Sequence, residues 1–144
     1  MRWHRKLREL LPDVSVPSVE GELADPTQAD DVYEAFGTLL KEKTRDRTKF
    51  SLVFEENCNY GFRRNLWGMK SLGITSAIIG VVGIVVVILL NTQVRQATTP
   101  PVAYVAGSFN ALLLIVWTAV VTPTWVKTAA DAYAVRLLAS SDHL

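Results

Sequence analysis

The chain has 144 residues, 49% of them hydrophobic and 20% charged, with a formal net charge of +1. Its one cysteine, Cys58, excludes an intrachain disulfide, and no second Cys or paired His stands near it at a metal-ligand spacing. The average conceals two unlike halves: residues 1–70 carry 12 Lys/Arg and 12 Asp/Glu, whereas residues 71–144 carry only Arg95, Lys127, Arg136, Asp131 and Asp142.

The opening MRWHRKLRELL is charged throughout and is not expected to be cleaved as a leader. It places Trp3, Leu7, Leu10 and Leu11 at i, i+4, i+7 and i+8 of a helix that Pro12 ends. With Arg2, Arg5, Lys6 and Arg8 mostly elsewhere on the wheel, this helix suits either an anionic membrane face or packing against the rest of the head. From Pro12 to Leu40 there are seven acidic residues and no Lys or Arg. PDVSVPSVEGELADPTQ reads as a linker, and from about Pro26 a helix is expected with Val32, Phe36, Leu39 and Leu40 on one side. The block KEKTRDRTK, 41–49, has a net charge of +3, so the head can close on itself through opposite charges.

Phe50, Phe54, Cys58, Phe62 and Leu66 recur every four residues, which predicts a helix running toward the next segment, with Gly61 and Gly68 as expected kinks. That segment, Leu72 to Leu90, holds no charged residue. Its 19 residues reach about 28 Å as a helix, close to the roughly 30 Å hydrocarbon core of a bilayer. Residues 102–121 repeat the pattern after the polar loop 91–101, which ends in Pro100 and Pro101. In the first span Gly73, Ser76, Ala77, Gly80 and Gly83 fall within an arc of about 120° at about 100° per residue. In the second, Ala103, Gly107 and Ala111 follow at i, i+4 and i+8, with Asn110, Thr118 and Thr122 on or beside that stripe. Small residues permit close helix approach, and Asn and Thr supply interhelical hydrogen bonds. Asn110 therefore belongs in the hairpin interface, or on the shared axis of an oligomer, two placements that are compatible. After Pro123, Thr124 is expected to cap an amphipathic helix running to about Ala139, with the helix around Val32–Leu40 as a candidate partner.

The expected architecture is all-α: a two-helix membrane hairpin, 71–121, between a cytoplasmic head and connector, 1–70, and a C-terminal amphipathic helix and tail, 122–144. Arg63, Arg64 and Lys70 precede the first span, Arg95 stands alone in the loop, and Lys127 and Arg136 follow the second. This bias predicts both termini in the cytoplasm, and the plasma (inner) membrane is the expected location. Trp67 and Trp125 then join Arg63, Arg64, Lys70 and Lys127 at the cytoplasmic interface, while Trp117 is expected to pack between helices. Neither span contains Asp, Glu, Lys, Arg or His, which disfavours a selective ion transporter.

No phosphate-binding loop, metal-ligand spacing or nucleophile constellation is present, so neither enzymatic activity nor a cofactor is expected. His4 and His143 read as surface residues, and the basic stretches with aromatics at 1–11 and 60–70 are accounted for by a membrane rather than nucleic acid. The expected partners are the lipid bilayer, further copies of the chain and a cytoplasmic protein. Two functions fit: a homo-oligomeric membrane-perturbing or pore-forming effector controlled by its head, or a non-catalytic membrane anchor or assembly subunit that recruits a soluble partner.

Overall fold

The computed structural model describes residues 2–10 and 12–144. Helices make up 82% of the chain, and no strand occurs among the described residues. The elements are α1 (Arg2–Leu10), α2 (Val19–Ala24), α3 (Pro26–Lys43), α4 (Ser51–Gly68), α5 (Lys70–Leu89), α6 (Pro101–Ile115) and α7 (Pro123–Ser140). Single π-helical turns, Leu90–Val94 and Val116–Val120, extend α5 and α6. Contacts group the residues into two units, 1–58 with 130–144, and 59–129. The sequence divisions at 70 and 121 follow hydropathy, whereas these units follow packing, and the end of α7 shares a unit with the head.

In the first unit, local chemistry sets each helix boundary. Ser18 caps α2 by accepting from the Gly21 N–H at 3.0 Å, so part of the expected linker is helical. Asp25 caps α3 by accepting from the Gln28 N–H at 3.1 Å, with Pro26 in the first turn where its missing N–H costs nothing. At the far end the Thr44 hydroxyl returns to the Leu40 carbonyl at 2.7 Å. Asp46 then accepts from the Thr48 hydroxyl at 2.6 Å and from the Thr48 and Lys49 amides, which starts α4. These bonds, the hydroxyl foremost, hold its carboxyl below the usual aspartate range.

The core of this unit is Leu7, Phe36, Leu40, Phe50, Val53 and Leu137, drawn from α1, α3, α4 with its lead-in, and α7. Of the two roles open to α1, the structure shows packing: Leu7 is 1% exposed. The expected contributions of the Trp3 side chain and Leu11 lie outside the described residues. The four-residue stripe of α4 is not a buried face. Phe50 and Val53 are buried, while Phe54 and Cys58 are exposed and Phe62 is 62% exposed. A strict i+4 step advances about 40° beyond a full turn each time, so such a stripe rotates away from any one neighbour.

In the second unit α5 and α6 pack side by side. Both are long and apolar enough to cross a membrane: the continuous helices run Lys70–Val94, 25 residues, and Pro101–Val120, 20 residues. The connection is shorter than the polar loop because the π turn consumes Leu90–Val94, and it reverses at Gln96, the described non-glycine residue with positive φ, 48°. Leu40 is 0% exposed at the centre of the head core. Leu40→Ala is expected to destabilise that unit by about 2–5 kcal/mol. Hydrogen exchange on the full chain should then show α3 amides exchanging at least about 30-fold faster, with α5 amides unchanged.

Candidate functional site

Small residues against bulky ones set the α5–α6 contact. A Cβ on Gly73 would fall 2.1 Å from the Trp117 ring, one on Gly80 2.1 Å from Asn110 Oδ1, and one on Gly107 3.1 Å from Ile84. These pairs keep one antiparallel register, which Lys70 continues by donating to the Val121 carbonyl at 2.7 Å. Ala77 and Ala103 are buried on the same two faces. Asn110 also donates to the Ala106 carbonyl of its own helix at 2.9 Å. It lies within the hairpin, over Gly80, which is the first of the two placements open to it.

The facing residues follow alternating steps of four and three: Gly73, Ala77, Gly80 and Ile84 on α5, and Ala103, Gly107, Asn110, Leu114 and Trp117 on α6 and its π turn. A seven-residue repeat drifts only about 20° on a helix, so it keeps facing the partner. Ser76, Gly83, Ala111 and Thr118 instead lie exposed on the outside of the pair. Gly83 has open space where a Cβ would stand. The Ser76 and Thr118 hydroxyls donate to carbonyls of their own helices, Gly73 at 3.0 Å and Leu114 at 2.7 Å.

At one end of this pair stands a basic and aromatic belt. Arg63 donates through Nη1 to the Trp125 carbonyl at 2.9 Å and through Nε to Asn59 Oδ1 at 3.1 Å, and its guanidinium lies 4.9 Å from the Trp125 ring centroid. The Lys70 ammonium stands 4.9 Å from the Trp67 ring centroid. Arg64, Trp67 and Lys127 are exposed, while Arg63, Lys70 and Trp125 are half-buried. The cap here is Thr122 rather than the expected Thr124. Pro123 takes the first helical position of α7, and the Trp125 N–H bonds Thr122 Oγ1 at 3.2 Å. A continuing helix would have given that N–H to Val121, so the Val121 carbonyl is freed and Lys70 satisfies it.

The head unit contains a second feature, which the sequence reading missed. A groove of about 440 Å³ is lined by His4, Leu7, Tyr33, Phe36, Leu40 and Leu137, among others. At its rim the Tyr33 hydroxyl donates to the Glu22 carboxylate, which leaves His4 Nε2 to donate to the phenol oxygen at 3.2 Å. That bond to Glu22, then burial and the carboxylate charge, pushes the Tyr33 pKa above its ordinary value. Burial does the same for Tyr133. His4 read as a surface residue, yet it lies three positions before Leu7 and so shares the packed face of α1. Among the described residues no group of His, Cys, Asp and Glu is arranged to hold a metal ion.

No family model, no curated protein and no solved structure matches this chain.

Gly80→Val is expected to drive a side chain into Asn110 and cost about 1–3 kcal/mol in detergent-solubilised protein, read by thermal unfolding. Gly83→Val, where a Cβ meets nothing within the hairpin, should lower the midpoint far less. A phenol held protonated by its native contacts stabilises the fold below the ordinary tyrosine pKa, and that stabilisation is lost as pH rises through the folded value. Alkaline titration of tyrosinate absorbance should therefore show late-ionising phenols, and Tyr33→Phe should remove one of them while the Tyr133 component remains.

Proposed function

We propose that this chain is a two-pass integral membrane protein with both termini in the cytoplasm, whose α5–α6 hairpin anchors a small helical head in the plasma (inner) membrane. The head serves as a docking element for a soluble partner. The observation that carries the reading is the outer surface of the hairpin. Eighteen large apolar side chains between Leu72 and Val120 stand exposed, from Val116 at 38% to Val94 at 71%. Leaving each about half exposed to water costs on the order of 1 kcal/mol, so together they exceed the roughly 5–15 kcal/mol that holds a typical domain folded. A soluble protein buries helices this apolar; here Ala77 and Ala103 are the buried residues of α5 and α6. Lipid is the simplest cover on all sides.

Charge supports the orientation. Arg63, Arg64, Lys70 and Lys127 cluster at the belt end of the hairpin, whereas the opposite connection carries Arg95 alone. Homo-oligomerisation is supported by the outward small and polar positions Ser76, Gly83, Ala111 and Thr118, which admit close approach by another hairpin.

The alternative, a membrane-perturbing or pore-forming effector, draws on that same outward strip together with Ser108. It needs a wettable face, and the Asn110 amide N–H and the Ser76 and Thr118 hydroxyl protons are already donated to backbone carbonyls of their own helices. The anchor reading asks nothing further of them and is preferred.

Topology is measured with the natural single cysteine and a membrane-impermeant maleimide. Cys58 should label in inverted vesicles only, and a Cys58→Ser/Thr98→Cys variant in right-side-out spheroplasts only; labelling of both from one side, or release of the chain by alkaline carbonate, overturns the two-pass reading. Dye-loaded liposomes carrying the purified chain should stay sealed, whereas release would favour the effector.

A further inference from the structure

The belt does more than mark the membrane boundary. Arg63 and Lys70 are fixed in place by neutral acceptors, the carbonyls of Trp125 and Val121 and the amide of Asn59, so these bonds set their positions without neutralising their charges. Residues 59–129 contain no Asp or Glu, so Arg63, Arg64, Lys70 and Lys127 have no carboxylate partner within their own unit. The fixed cations also keep donors in hand: a guanidinium has five N–H groups and an ammonium three, and the bonds named use two of the former and one of the latter. Arg63 and Lys70 lie seven residues apart, so about 10 Å along the helix direction, and their bonds set Trp125 beside Arg63 and Val121 beside Lys70, with Lys127 two residues beyond Trp125. That span is comparable with the roughly 5–7.5 Å that headgroups occupy on each side of a bilayer.

We propose that this belt binds the phosphate of an anionic phospholipid of the cytoplasmic leaflet. Arg63 and Lys70 act as fixed donors, and Arg64 and Lys127 as mobile arms. Trp67 and Trp125 hold the cation stems and pack against the first acyl carbons. The inference rests on the two-pass reading and adds a lipid preference to it. A phosphate free in solution offers the same oxygens, but the donors sit where the apolar surface of the hairpin begins, so a phosphate carrying acyl chains satisfies both at once.

The full chain is reconstituted by flotation into phosphatidylcholine vesicles and into vesicles with phosphatidylglycerol as the minor component. The lipid retained after gentle extraction is then identified by native mass spectrometry. Phosphatidylglycerol should be retained at about five-fold or more above its bilayer share, as expected when even one basic residue contributes its usual surface attraction. Arg64→Gln/Lys127→Gln, which leaves the carbonyl contacts intact, should lower the enrichment several-fold, and Arg63→Gln/Lys70→Gln should abolish it. Arg95→Gln, at the other end of the hairpin, should leave it unchanged. Flotation with equal retention of both lipids overturns the lipid site and leaves the anchor standing. Loss of the enrichment on adding millimolar inorganic phosphate overturns it in favour of a soluble anion. Failure to float removes the membrane premise itself.

Discussion

The contact of Asn110 with the bare backbone at Gly80 is the constraint on which the rest of the hairpin depends. A Cβ there would overlap the amide, so α5 and α6 approach closely only because residue 80 has no side chain. The same exchange of bulk for absence recurs two turns away, where Trp117 occupies the space in front of Gly73. Two such pairs on one face define the register, because sliding either helix by a residue would set a large side chain against another large one. In a lipid setting, where apolar residues gain nothing by leaving hydrocarbon for each other, this packing and the hydrogen bonds beside it are what hold two helices together. Asn110 meets its own polar demand partly from Ala106, which reduces the need for a polar partner elsewhere.

Register in turn determines what meets at the belt. Once Gly73 faces Trp117, Lys70 one turn earlier stands beside Val121, whose carbonyl has lost its helical donor. The ammonium then supplies a bond that a continuous helix would have formed by itself. An unsatisfied carbonyl in an apolar surrounding costs several kcal/mol, so a lysine here satisfies the carbonyl that the chain break leaves open. The belt charges thus follow from the break between α6 and α7 as much as from any ligand, and the neutral partners of Arg63 and Lys70 are what leave those charges available.

Much of this was legible in the residues. An all-helical chain with two apolar segments of spanning length follows from composition and run length alone, and the start of α3 after Asp25 follows from capping chemistry and Pro26. The facing residues were harder to read. Gly73, Gly80, Ala103, Gly107 and Asn110 line the contact, but Ser76, Gly83, Ala111 and Thr118 point outward. A wheel with a wide arc does not distinguish a heptad seam from an i+4 stripe until the partner is in place. The π turns at Leu90–Val94 and Val116–Val120 have no residue signature of their own. The cap at Thr122 was missed because Thr124 lies closer to the apolar run, although Pro123 at the first helical position already favoured the earlier threonine. His4 joined Tyr33 and Glu22 through contacts across α1, α2 and α3, which periodicity within one helix does not encode.

The two arms of the hairpin leave it in different ways, and this asymmetry gives Lys70 its second role. Between α4 and α5 the hydrogen-bond ladder barely pauses: the Met69 N–H reaches Asn65 at 3.0 Å and Leu66 at 3.1 Å, and Gly73 returns to Met69 at 2.9 Å. Between α6 and α7 the chain turns out of helix at Val121, ψ 87°, and Pro123 has no N–H with which to bridge the gap. One arm is therefore continuous and the other is hinged, and the bond from Lys70 ties the hinge to the continuous arm at the point where the ladder is open. Bending at the hinge without breaking that bond would have to move α5 as well. Bending that does break it would expose the Val121 carbonyl and free one further donor on Lys70. Mechanical restraint and charge presentation at the belt are thus coupled through a single side chain.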